Sequence, residues 1–129
     1  MQLSALCRTA GGIALSALAA LSTAGEIARA PVENVQTLML DAIRSKAGRA
    51  HGVLSGAVAD TVSRHFGTAS PLYINVTTEK RFKQPGCSRL KVLFWQEGVR
   101  FSENAEPGTG SVEFGINYCL DGLAPTSLE

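Results

Sequence analysis

At 129 residues the chain has room for one domain with one hydrophobic core and not for two. A formal charge of +1 offers no global field to draw nucleic acid or an anionic membrane, so binding of that kind would need a local patch. The composition is that of an ordinary globular protein.

The first elements concern delivery. Met1 to Arg8 carries one positive side chain, and Thr9 to Leu21 is an Ala/Leu-rich apolar run followed by small residues, the anatomy of a secretory signal peptide. The run is about a dozen residues, short of the roughly 20 that cross a bilayer as a helix, so no permanent anchor is expected. Ser22-Thr-Ala24 has the small-x-small form preferred for cleavage, which assigns 1–24 to the signal and 25–129 to a single mature domain; cleavage after Ala28 is the alternative. Cys7 leaves with the signal and precedes the apolar run, which argues against lipidation. Cys87 and Cys119 then remain in a periplasmic or secreted compartment where disulfides persist, and two cysteines allow one intramolecular pairing.

Pro31-Val-Glu-Asn34 has the residue types of a helix start. Val35, Leu38, Met39, Ala42 and Ile43 recur at helical spacing, with Lys46, Gly48 and Arg49 near the expected end. A second helix is predicted from Val53 to Phe66, with Leu54, Ala57, Val58, Thr61, Val62, His65 and Phe66 on one stripe. Gly52 and Gly56 each cost such a helix about 1 kcal/mol relative to Ala, which suggests close approach to a neighbouring element.

Three strands are predicted next: Leu72 to Phe82, Arg89 to Trp95 and Val112 to Leu120. Leu72, Ile74, Val76 and Phe82 share one parity, as do Leu90, Val92 and Phe94, and Val112, Phe114, Ile116, Tyr118 and Leu120; this is the expected core face. Cys87 and Cys119 both fall on the outer face. If they lie opposite each other, the register pairs Arg89 with Asn117, Lys91 with Gly115, Leu93 with Glu113 and Trp95 with Ser111. Gln84-Pro-Gly86 supplies a tight turn, and Gln96 to Gly110 a long connection. The architecture that follows is α+β: two N-terminal helices packed on one face of a three-stranded antiparallel β-meander with one disulfide.

Candidate functional residues are sparse. Tyr73, Leu93 and Trp95 on the outer face form a candidate partner-binding group, unless the 96–110 loop or the mature N-terminus covers them. Lys80, Arg81, Lys83, Arg89 and Lys91 form a basic patch around the first turn, suited to an acidic partner or to blocking a sheet edge. A hydrolase of nuclease type would combine His65 or His51 with Glu79 and Arg81 or Arg89; packing of His65 and solvation of His51 in an interhelix loop explain the same residues without catalysis. The sequence shows no zinc-type ligand spacing, phosphate loop, nucleophile elbow or redox Cys-x-x-Cys, so neither a metal nor another cofactor is expected. Asn75-Val-Thr77 matches a glycosylation sequon inside a predicted strand, where it reads as accidental.

Val76-Thr-Thr-Glu-Lys-Arg-Phe-Lys-Gln-Pro-Gly-Cys-Ser-Arg-Leu90 and Phe114-Gly-Ile-Asn-Tyr-Cys-Leu-Asp-Gly122 resemble segments of small exported proteins associated with conjugative transfer, or type IV secretion, gene clusters of Gram-negative bacteria. The resemblance covers the sheet half and carries over no functional residue. It implies a periplasmic accessory component that binds a protein partner in the cell envelope. The expected function is thus a non-enzymatic interaction protein that uses the outer sheet face or a free edge; a secreted hydrolase using His65, or a periplasmic inhibitor or immunity-type protein, is the alternative.

Overall fold

The computed structural model describes residues 29–129; the expected signal segment, its cleavage site and Cys7 lie outside them. The elements are β1 (Ala30–Val32), α1 (Val35–Arg44), β2 (Arg49–Leu54), α2 (Ala57–His65), β3 (Leu72–Arg81), β4 (Cys87–Val99) and β5 (Gly108–Cys119). The strands form one sheet in sequence order, with β1 parallel to β2 and every other neighbouring pair antiparallel.

α1 begins where the capping chemistry predicts. Asn34 has extended backbone and its side-chain oxygen accepts from the Thr37 N–H at 3.2 Å, satisfying one of the free donors of the first turn. Leu38, Met39, Ala42 and Ile43 are buried as the helical spacing requires. They meet Ile74, Val76, Leu90, Val92 and Tyr118 from the sheet, and this cluster is the core. Asn34→Ala should lower unfolding free energy by about 1 kcal/mol in urea titrations, because the cap is lost while the core contacts stay.

The expectation of a three-stranded antiparallel meander is corrected by two further strands and a parallel pair. Arg49 to Leu54 follows the α1 crossover and lies beside β3 with Gly52 opposite Ile74, and the three-residue β1, which precedes α1, runs parallel to it on its other side. Val53 and Leu54 therefore end a strand, and α2 begins only at Ala57. Backbone pairing to β3 outweighs the helical spacing of the apolar side chains in this segment. His51, expected in an interhelix loop, sits in β2 opposite Asn75. Gly52 does reflect close approach, but to α1 from within a strand: a Cβ at that position would lie 2.9 Å from Leu38 Cδ1.

The β4–β5 register matches the predicted one at every position, from Cys87 opposite Cys119 to Trp95 opposite Ser111, and the two cysteines are bonded. β3 follows its predicted parity up to Thr78. There a bulge shifts the register, so that Lys80 pairs with Arg89 and Arg81 with Ser88. Two consequences follow. Phe82 leaves the core parity and lies beneath the Lys80 ammonium, 5.5 Å from its ring centre. Arg81 turns to the helix side instead, where Nη1 donates to Ile43 O at 3.3 Å and Nη2 to Ser45 O at 2.8 Å, satisfying carbonyls at the end of α1. Arg81→Ala should therefore destabilise the fold by about 1 kcal/mol, read as a shift in urea midpoint, whereas Lys83→Ala should have no measurable effect.

Candidate functional site

The helical layer does not cover the whole inner face. α1 lies over the middle of the sheet, whereas α2 is only nine residues long, buries Ala59 alone, and is tied down at its C-terminal end. Arg100 N–H donates to Phe66 O at 3.0 Å, and the Gln96 amide, buried in β4, donates to Ser63 Oγ at 2.9 Å and Ser70 O at 2.8 Å. Between α2 and the sheet lies an apolar cleft of about 290 Å³. Leu54, Val62, Phe66, Leu72 and Phe94 line it, with Val99 at the end of β4.

Its rim is exposed. Val58 is 64% exposed, Phe101 70% and Val112 64%, and Phe114, two residues beyond Val112 on β5 and outside the cleft lining, is 41% exposed. Val112 and Phe114 were expected to be core residues; they have the core parity, with Phe114 stacked beside Phe94 at 6.1 Å, but the core cluster under α1 takes in Ile116 and Tyr118 of the last strand and leaves these two exposed. Phe101 comes from the connection between β4 and β5, shorter than expected because β4 runs to Val99 and β5 starts at Gly108. It sits edge-on to Phe66 at 6.2 Å and extends the apolar surface.

The two sheet edges differ. β1 is three residues long and contains Pro31, which has no N–H to offer. β5 is twelve residues long, has no Pro, and has Glu113 as its one charged residue. Cys87 and Cys119 approach to 4.0 Å between Cα atoms, as in a non-hydrogen-bonded antiparallel pair, while Leu120 N–H donates to Gly86 O at 2.9 Å. Even-numbered residues of β5 thus bond to β4. Ser111, Glu113, Gly115 and Asn117 direct their backbone groups to the free edge, where no described residue pairs with them.

On the outer face the structure brings the predicted partner-binding residues onto one surface. Tyr73 lies opposite Trp95 with rings stacked at 4.2 Å, and Leu93 lies between Asn75 and Glu113 in the next row. All three are half-buried. The Arg29 guanidinium lies 4.9 Å from the Tyr73 ring centre and 5.7 Å from that of Trp95, and donates to Asn75 Oδ1 at 2.8 Å. Asn75 Oδ1 is also 3.0 Å from His51 Nδ1. The aromatic pair is thus capped by Arg29, at the start of the described residues.

Of the five predicted basic residues, Lys80 lies opposite Arg89 and shares the outer face with it and Lys91, while Arg81 is turned to the other face. Arg81 serves α1, Arg89 donates to Asn117 Oδ1 at 3.2 Å, and Lys91 is 4.0 Å from Glu113. Lys80 donates to Leu128 O at 3.3 Å and Lys83 is 4.0 Å from Glu129, so both meet the C-terminal segment. Of the nuclease combinations, the one with His51 and Arg81 is not assembled, because the two lie on opposite faces of the sheet, while His65 is an exposed residue at the end of α2 with its ring against Phe66. Among the described residues no cluster of metal-ligating side chains occurs and no helix is long and apolar enough to cross a membrane.

No protein-family model, curated protein or solved structure matches this chain. The disulfide agrees with an oxidising compartment. The exposed rim was hidden in the sequence because alternation marks which face is apolar, not whether another element covers it. Phe101, an aromatic in a connection rich in Gly and charged residues, was the available signal.

Proposed function

We propose that this protein is an exported, non-enzymatic interaction module of an envelope assembly, as the resemblance to conjugative transfer proteins implies, and that its contact surface is the β5 edge with the adjoining apolar rim. The observation that carries this reading is the juxtaposition of a long strand, whose outer edge no described residue pairs with, and exposed Val112 and Phe114 on one of its faces. An extended backbone docked on such an edge gains main-chain hydrogen bonds and places alternate side chains on the apolar surface. The outer-face group is the lesser surface, since Tyr73 and Trp95 already stack on each other and under Arg29.

The test is capture of partners from envelope extracts by the oxidised exported protein, with Val112→Asp/Phe114→Asp and Tyr73→Ala/Trp95→Ala as comparisons. Retention of secretion-channel components by the parent and the outer-face variant, with at least tenfold loss in the β5 variant, is the expected result. Loss only in the outer-face variant would overturn the assignment of the surface. Capture of a single soluble effector would replace the assembly role with an inhibitor role.

A further inference from the structure

We infer that the β5 edge pairs with the β5 edge of a second copy of this chain, in antiparallel register about a two-fold axis at Phe114; this rests on β5 being the contact surface. Backbone geometry limits the options first. Ser111, Glu113, Gly115 and Asn117 direct their N–H and C=O groups outward along the middle of β5, so the most extensive symmetric pairing sets these residues opposite one another. An axis at Phe114 does so: Ser111 faces Asn117 of the second copy and Glu113 faces Gly115, with Phe114 opposite itself and Val112 opposite Ile116. About eight new backbone hydrogen bonds result, two for each narrow pair.

Charge then selects among the registers that geometry permits. Gly115 leaves a gap on the outer face of β5, and the Arg89 guanidinium reaches from β4 across it, so that a Cβ at Gly115 would collide with Nη2. With the axis at Phe114, Glu113 of each copy stands beside Gly115 of the other and meets that guanidinium. Two Arg89–Glu113 pairs form, related by the axis. Moving the axis to Glu113 sets the two carboxylates opposite each other, and moving it to Gly115 brings the two Arg89 groups together. Both of these place like charges directly across the ladder, and moving the axis to Val112 or Ile116 sets only two of the four outward residues opposite one another. On the helix-bearing face the Phe114-centred register covers the exposed Phe114 and Val112 with their counterparts and with Ile116. A two-fold contact is self-complementary, as this strand is.

Sedimentation velocity of the oxidised exported protein between 1 µM and about 500 µM tests the inference directly. A concentration-dependent monomer–dimer equilibrium is expected; a monomer throughout overturns the inference. In the latter case, capture of an envelope protein that still depends on Val112 and Phe114 would leave the broader reading standing, and its absence would remove both. Register is tested by charge exchange. Glu113→Arg and Arg89→Glu should each weaken dimerisation roughly tenfold, and the double variant should recover to within about threefold of the parent. Failure of the double variant to recover, with the parent dimeric, would overturn the Phe114-centred register. Phe114→Cys should form an intermolecular disulfide under oxidation, because the residue on the axis faces itself in a non-hydrogen-bonded pair; efficient cross-linking of Glu113→Cys instead would overturn the register as well.

Discussion

Replacing Cys87 and Cys119 together by alanine is expected to lower the unfolding free energy by about 3 to 4 kcal/mol. The bond joins residues 32 positions apart, at the turn-side start of β4 and the end of β5, and both cysteines are buried. Its stabilisation acts mainly on the unfolded chain, which loses the freedom of a long loop, so the folded β4–β5 ladder should persist in the variant. For a domain of this size the thermal midpoint should fall by about 15 °C or more. Urea unfolding of the oxidised parent, the parent with reductant and the double variant would check this, and the last two should agree. A difference below about 1 kcal/mol between oxidised and reduced parent would show that the reduced unfolded chain is already restrained.

Gly52→Ala is expected to destabilise by about 1 to 2 kcal/mol, and Gly52→Val by about 3. The sign is informative. In a helix the alanine would stabilise by about 1 kcal/mol, because glycine is the poorer helix former. In β2 the new methyl would lie 2.9 Å from Leu38 Cδ1 and 3.2 Å from the Ala30 carbonyl oxygen. Leu38 is only 3% exposed and held within the core cluster, and the Ala30 carbonyl belongs to the neighbouring strand, so neither yields without moving α1 or β1 away from β2. Chemical unfolding of the two variants distinguishes the cases: an increase in stability for Gly52→Ala would mean that α1 does not pack on this residue.

Gly52 also shows where sequence reasoning stops. Ala50, Gly52 and Leu54 do alternate with Arg49, His51 and Val53, but two of the three inward positions are too small to register as apolar periodicity. Their size is set by the helix above them. Nothing within β1 or β2 states that need, and β1 is too short to carry a pattern at all. In β3 the alternation was legible up to Thr78 and failed at the bulge, since one inserted residue exchanges the faces of all that follow. The outer-face trio was legible because parity alone places Tyr73, Leu93 and Trp95 together. Of the five cations predicted to cluster, the register sets Lys80 beside Arg89 and Lys91 on the outer face, whereas the bulge, invisible in the sequence, turns Arg81 to α1.

By itself the sequence determined the apolar face of α1, the β4–β5 register and the Cys87–Cys119 bond. These depend on local periodicity and on a face-matching rule that admits few solutions. Only the tertiary structure decided that Arg49 to Leu54 is a strand, that Arg81 caps a helix, and that Val112 and Phe114 stay exposed beside a free edge. Each of those depends on which element lies across from the residue, and an alternating pattern encodes a face without naming its neighbour.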